Sequence, residues 1–289
     1  MLNKQPEKSP PISEAIALTA AEFKFISELL EHLAGIHLSS AKSTLVVGRL
    51  SKRLRHFGYR NFKTYFEFIA DPANKAELNI AIDLLTTNET SFFREPKHFE
   101  LLKTLAAAHP KGKMFRVWSA ASSSGQEAYT IALVLAQALG DTAPWEIVAS
   151  DLSERILAKA RDALYPLEQA HQIPQELLKK YALKERGDQA KFFTFEPVLK
   201  NRITIKQINL TQKLPDIGFF DVIFLRNILI YFQMDVKKLV VENVATLLHP
   251  EGLLLIGHSE SLHGVTDNLE SVKPTVYKSL MGTVPPKKA

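Results

Sequence analysis

The residues of this sequence that could do chemistry are polar groups at the ends of apolar runs. Phe115-Arg-Val-Trp-Ser119 leads into a run of small residues, Ala120 to Gly125, and then Glu127. Small residues there let the backbone approach a ligand closely, although the run holds one glycine and is not the G-x-G-x-x-G of dinucleotide sites. Asp151 ends Trp145-Glu-Ile-Val-Ala-Ser-Asp151. A carboxylate in that position can accept hydrogen bonds from both hydroxyls of a ribose. It can equally serve the N-terminus of the helix that follows. Glu127 has the same helix-terminal alternative, or could hold the positive amino group of an amino-acid-like ligand. Asn209-Leu210 and Asn227-Ile228 follow two further apolar runs. An amide there can read an adenine edge and the aliphatic can cover its ring, but Asn is also a common turn former. Four such ends together point to one nucleoside site, because open α/β sheets bind ligands outside the carboxyl ends of their strands. The segment Leu85–Pro96 is dense in polar groups and carries Phe92 and Phe93. It reads either as the wall of a pocket between domains or as a linker with Pro96 opening the next helix.

Two patterns must position these groups. Over residues 19–85 the period is helical. Thr19-Ala-Ala-Glu22 is a capping box, followed by Phe23, Ile26, Leu30 and Leu33 at helical spacing. A second helix is expected over Ala41–Phe57, with Val47, Leu50, Leu54 and Phe57 on one face and Lys42, Arg49, Arg53 and His56 on another. Phe62–Ala70 and Asn74–Leu85 are two more helices, divided by Asp71-Pro72. Residues 1–18 hold three prolines and little periodicity, which predicts a mobile tail and no signal peptide. Residues 86–289 alternate strands (115–119, 145–151, 203–208, 219–225, 253–256) with helices (126–139, 153–164, 236–248), which predicts a parallel, doubly wound α/β sheet. Residues 166–201 interrupt that order with a helix, Pro174–Tyr181, a Gly187-Asp188 turn and the run Phe192–Phe195. An inserted β-rich subdomain is the simplest account.

Composition narrows the function classes. The 289 residues are 46% hydrophobic, ample for a core, so whole-chain disorder is excluded. There is no cysteine, hence no disulfide scaffold, thiolate metal site or cysteine nucleophile. Arg226 interrupts even the apolar stretch Val222–Phe232, so no membrane span is expected and a soluble cytoplasmic protein is. Net charge is +5, yet between Glu31 and Glu67 stand Lys42, Arg49, Lys52, Arg53, Arg55, Arg60 and Lys63 with no acid among them. That local field calls for an acidic partner.

The segments TTNETSFFRE, VWSAASSSGQEAYTIA, ASD, FFDVIFLRNILIYF and GLLLIGHSESL, in this order and spacing, resemble the chemotaxis-receptor glutamate O-methyltransferases, the CheR family, over about residues 20–280. The resemblance implies a Rossmann-like class I methyltransferase sheet with an N-terminal all-helical domain and an inserted small antiparallel β-subdomain. It implies that Asn88, Thr90, Arg94, Glu127, Asp151, Asn209, Leu210, Asn227 and Ile228 line an S-adenosylmethionine site, with Arg94 and Tyr231 beside the transferring methyl. No metal is expected, and the product would be S-adenosylhomocysteine. One departure is Gln126-Glu127-Ala128, where many members read Glu-Glu-Pro. The implied reaction is in-line displacement at the sulfonium methyl by a receptor glutamate, giving a γ-methyl ester. Lys42, Arg49, Lys52, Arg53 and Arg55 would then face the acidic helical methylation region of a receptor, and the β-subdomain a receptor tail peptide. Neither nucleic acid nor membrane insertion is expected. The alternatives are an S-adenosylmethionine-binding sensor or adaptor without turnover, and a nicotinamide oxidoreductase, which the missing glycine fingerprint disfavours.

Overall fold

The computed structural model describes residues 16–86, 88–187 and 190–280. Most of the expected tail, residues 1–15, and Asp188 of the expected turn lie outside the described residues. The chain divides into two compact units, Met1–Thr87 and Asn88–Ala289.

Among the described residues the first unit holds four α-helices: α1 (Ala20–Ala34), α2 (Ser43–His56), α3 (Phe62–Ala70) and α4 (Lys75–Leu85). The capping box forms: Glu22 N donates to Thr19 Oγ1 at 3.2 Å, and Thr19 N donates to Glu22 Oε2 at 2.7 Å. Gly35, at φ 70°, ends α1 in the left-handed conformation that glycine adopts without steric cost. Ile26, Leu30, Val46, Leu50, Leu54, Phe62, Phe66 and Ile69 are buried together in this unit's core.

The face of α2 differs from expectation in two ways. Val46, not Val47, is fully buried, because the inward row is 46, 50 and 54, four residues apart, while Phe57 lies beyond the helix end and is exposed. The basic row is also divided. Arg53 pairs with buried Glu77, its Nε donating to Oε1 at 2.8 Å, and Tyr65 Oη donates to the same oxygen at 2.7 Å. The hydrogen bond to Glu77 raises the Arg53 pKa, and burial pushes the Tyr65 phenol up. Arg49 Nη1 donates to the carbonyls of Leu84 (2.9 Å) and Thr86 (2.8 Å), satisfying the open end of α4 where positive charge is favoured. Arg49 and Arg53 are therefore internal ties rather than surface charges. Lys52 and Arg55 are exposed, and Lys42 is half-exposed.

The second unit runs α5 (Lys97–Ala108), β1 (Phe115–Ser119), α6 (Gln126–Leu139), β2 (Trp145–Asp151), α7 (Glu154–Asp162), β3 (Tyr165–Pro166), α8 (Gln175–Tyr181), β4 (Ala182–Lys184), β5 (Phe192–Phe195), α9 (Pro197–Lys200), β6 (Ile203–Gln207), β7 (Phe220–Leu225), α10 (Met234–Ala245), β8 (Leu248–Ile256), β9 (Leu269–Lys273) and β10 (Val276–Ser279). The main sheet has the order β6-β2-β1-β7-β8-β10-β9. Its first five strands are parallel, but β10 is antiparallel to both β8 and β9. The sheet is thus mixed, not wholly parallel as expected. The extra hairpin escaped the sequence pattern because β9 buries only Leu269.

Successive strand residues point to opposite faces. Val117, Ile147 and Val222 pack with α5 and α6 on one face, while Trp118, Val148 and Ile223 pack with α10 on the other. β3, β5 and β4 form the small antiparallel sheet that the resemblance implies. Phe195 stacks on Tyr129 of α6 at 4.8 Å, and Tyr165 meets Phe92 edge-on at 5.0 Å, which fastens the small sheet beside the Ser91–Glu95 segment. Among the described residues, no helix is long and apolar enough to cross a membrane.

Candidate active site

Strand order reverses between β1 and β7, and the crevice beyond the carboxyl ends of such a pair is where open α/β sheets take ligands. Beyond β1 the chain makes a tight turn. Ser122 N donates to Ser150 O at 2.8 Å, and Gly125 sits at φ 95°. A Cβ on Gly125 would come within 2.8 Å of Tyr165 Oη and 2.9 Å of Ala160 Cβ, so the one glycine in the run is there for close packing as well as conformation. Asp151 accepts from Ser123 N (3.0 Å) and Ser153 N (3.1 Å), which aims its carboxylate along the strand end.

A pocket forms at this crevice. Thr90, Arg94, Glu127, Asp151, Asn227 and Ile228, six of the residues singled out in the sequence, line it together with Glu89, Ser91, Ser123 and Arg226. Phe93, Glu95, Ser123 and Asn227 all have φ between 50° and 59°. Such conformations are costly for residues with a side chain and gather where a site over-determines them. Asn88 touches the wall through its backbone, its carbonyl accepting from Ser123 Oγ at 3.1 Å.

The structure does not bring the other three to the lining. Asn209 Oδ1 accepts from Thr211 N (3.0 Å) and Thr211 Oγ1 (2.8 Å), the turn-forming alternative. Leu210 is buried in the apolar cluster around Trp118. Tyr231 is half-buried at the end of a short 3-10 turn, Leu229–Tyr231.

Arg226 and Glu127 of the lining belong to a charge network, and strand-end reasoning missed the part that Arg226 and Glu95 play in it. The Arg226 side chain is only 1% exposed. Its Nη1 donates to Glu127 Oε2 (2.9 Å), and its Nη2 to Glu95 Oε2 (2.8 Å) and Arg94 O (2.6 Å). Ser119 Oγ donates to the other Glu127 oxygen at 2.7 Å. Burial pushes the Glu127 pKa up despite these partners. Burial also acts to raise Glu95, but the charge and hydrogen bonds of Arg226 outweigh it and hold that carboxyl below its usual range. His98 is lowered to about 4 by burial first and by Arg226 next. Glu127 is thus shared with a guanidinium rather than waiting alone for an ammonium group.

The lining carries three carboxylates, Glu89, Glu127 and Asp151, against two guanidiniums, Arg94 and Arg226, a balance that favours a cationic ligand. Glu95, His98 and His258 also bring three metal-ligand atoms within 4.8 Å of one another. Glu95 Oε2 already accepts from Arg226, however, and that guanidinium opposes a second cation there. Glu260 is the other residue the strand-end reading missed: it accepts backbone N–H groups of Asn227 and Leu229. Its one sequence signal was its place in the segment GHSE just after β8.

Residues 88–278 match the family described as "CheR methyltransferase, SAM binding domain", and residues 21–86 match "CheR methyltransferase, all-alpha domain". The chain is 39% identical over 262 residues to chemotaxis protein methyltransferase 2 of Pseudomonas aeruginosa, covering 90% of this chain and 93% of that protein. It is 36% identical to the chemotaxis protein methyltransferase of Salmonella typhimurium, covering 92% of each chain. To that of Escherichia coli it is likewise 36% identical, covering 92% of this chain and 93% of the relative.

Proposed function

The chain belongs to the CheR methyltransferase family, and on that premise we propose that it methylates glutamate side chains of chemotaxis receptors, forming γ-methyl esters. It is an S-adenosylmethionine-dependent methyltransferase by that membership; the glutamate, the residue roles and the docking surface are our reading. The observation that carries the reading is the pocket at the β1/β7 switch point, where carboxylates outnumber guanidiniums.

These residues fit S-adenosylmethionine by their chemistry. Asp151 would take the ribose hydroxyls, as strand-end carboxylates do. Glu127, held by Arg226, would meet the ammonium end, and Asn227 and Ile228 would border the base, with Asn88 and Thr90 closing the side. Asn209 and Leu210 would contribute through their loop alone. When bound, the cofactor supplies an electrophilic methyl on a sulfonium and leaves as S-adenosylhomocysteine.

The chain's own task is then positioning. A glutamate carboxylate is already ionised near pH 7, so no general base is required. Arg94 Nη1 donates to Glu89 O at 3.0 Å, which steadies its guanidinium in the pocket wall. There it would orient the incoming carboxylate; a tighter ion pair would lower the nucleophilicity of that carboxylate. Tyr231 would hydrogen-bond one oxygen and leave the other to attack. Alignment of this kind can lower a barrier by about 7–11 kcal/mol.

Lys52 and Arg55, with Lys42, would guide the acidic methylation helices of a receptor, and the chain would do this work in the cytoplasm. Arg49 and Arg53 leave that surface because they are tied inward. The outer edge of β4 could take a receptor tail peptide by strand addition.

The test is transfer of label from methyl-labelled S-adenosylmethionine to receptor cytoplasmic fragments. Base-labile label on glutamate is expected, reduced at least about a hundredfold in Arg94→Ala, in line with the loss of a transition-state contact. Absence of transfer to every receptor of the host would overturn the proposal.

A further inference from the structure

Gly257-His258-Ser259-Glu260 follows β8, and the catalytic account uses none of it. Glu260 folds back over this loop. Its Oε2 accepts from Gly257 N at 2.6 Å and from Asn227 N at 2.9 Å, and its Oε1 accepts from Leu229 N at 2.7 Å. One carboxylate therefore takes three backbone amides from two segments far apart in sequence.

The turn it grips carries pocket residues. Asn227 lies at φ 59°, a left-handed conformation that asparagine adopts more readily than most residues with a side chain, and its surroundings hold it there. Glu95 holds the same residue from the other side: its Oε1 accepts from Asn227 Nδ2 at 3.4 Å and from His258 N at 3.1 Å. Gly257 completes the fit. A Cβ there would lie 2.4 Å from Asn227 Nδ2, 2.9 Å from Glu260 Oε2 and 3.0 Å from Asn227 N. Ile228 and the turn to Tyr231 follow directly. Glu260 does not line the pocket, and both its oxygens serve backbone amides, so it is placed to act through the turn rather than on a ligand.

We propose that Glu260 is a positioning residue for the methyl-transfer site, its carboxylate fixing the Asn227 turn in the conformation that binds the cofactor. The proposal rests on the cofactor reading of that pocket. A glutamine at this position keeps one acceptor oxygen, but its amide nitrogen would face a backbone N–H, donor against donor.

The experiment measures S-adenosylhomocysteine affinity by calorimetry on the full chain, alongside amide exchange at Asn227, Leu229 and Gly257. Glu260→Gln is expected to weaken binding about tenfold and to speed exchange at those amides, an effect of the size of one lost charge-assisted hydrogen bond. Gly257→Ala should do the same from the other side of the turn. Because both act on one element, the double variant should lose no more than about twofold beyond the worse single variant. Glu251→Gln, an exposed carboxylate paired with Lys278, should change nothing.

If Glu260→Gln fails to fold, Gly257→Ala alone carries the test, and unchanged affinity in it overturns the proposal. So does faster exchange in Glu260→Gln with affinity intact, or losses that multiply in the double variant. If the unaltered chain does not bind S-adenosylhomocysteine at all, the cofactor reading itself falls, a result distinct from binding that the variants leave untouched.

Discussion

Arg226 is a charge almost wholly removed from water, and such a charge persists only with compensation on every side. It has Glu95, Glu127 and the Arg94 carbonyl in its plane and the rings of Phe99 and Phe224 at 5.5 and 5.9 Å from its guanidinium carbon. Replacing it by Met would leave Glu127 buried with Ser119 as its remaining tie and no counter-charge. Arg226→Met should therefore destabilise the chain by about 3–5 kcal/mol in urea unfolding, the usual result of breaking one half of a buried pair. The double variant Arg226→Met/Glu127→Gln removes both charges and should recover at least half of that loss. If the two variants' losses simply add, the pair is not coupled and the network has been misread.

At the scale of one helix, α2 shows how a single face can divide between inside and outside. Lys52 and Arg55 are exposed, so Lys52→Glu combined with Arg55→Glu should raise the KM for a receptor fragment several-fold at low salt. The effect should shrink towards nothing near 0.5 M salt, where the screening length is about half the ~10 Å it has at 0.1 M. Cofactor affinity should not move; equal loss of both would mark a folding defect and end the docking claim. Arg53→Ala should behave otherwise, leaving buried Glu77 with Tyr65 alone and lowering stability by about 3–5 kcal/mol. The sequence shows that these side chains share a row but not which of them turns inward. Arg is long enough to reach either way, and Glu77, which decides the matter, is 24 residues distant. By contrast the Thr19 capping box closes over three residues and reads directly. The same division holds in the site. Glu127, Asp151 and Asn227 stand at strand ends, which periodicity locates, and they reach one pocket. The tie between Glu95 and Arg226 spans 131 residues, and that between Glu260 and Asn227 spans 33, so no local pattern announces either. Asn209 shows the converse, a strand-end amide whose Oδ1 accepts from Thr211 of its own turn.

For the molecule as a whole, the buried network sets a direction for stability against pH. His98 is 3% exposed, its Nε2 lies 2.8 Å from Thr275 Oγ1, and its ring faces Glu95, Arg226, His258 and Lys273. Its pKa falls from 6.5 to about 4 on folding. Between those values the unfolded chain binds a proton that the native chain refuses, so stability rises with pH across the window and is lost as pH drops from 6.5 towards 4. Glu95 acts only lower down, since its carboxyl lies below the ordinary range. Glu127 has the opposite sign, because its raised pKa makes the native state take up a proton first. The difference between the unaltered chain and His98→Gln isolates the histidine. The variant should lose up to one proton's share of the slope, about 1.4 kcal/mol per pH unit near the middle of the window. Saturating S-adenosylhomocysteine gives the independent control. At about 100 times its Kd it should add about 2.7 kcal/mol at neutral pH by mass action, in both proteins alike. Urea unfolding from pH 7 to pH 4.5, with and without the ligand, separates the two effects. Parallel curves for His98→Gln and the unaltered chain would show that His98 takes up its proton equally in both states, and the burial argument for it would fail.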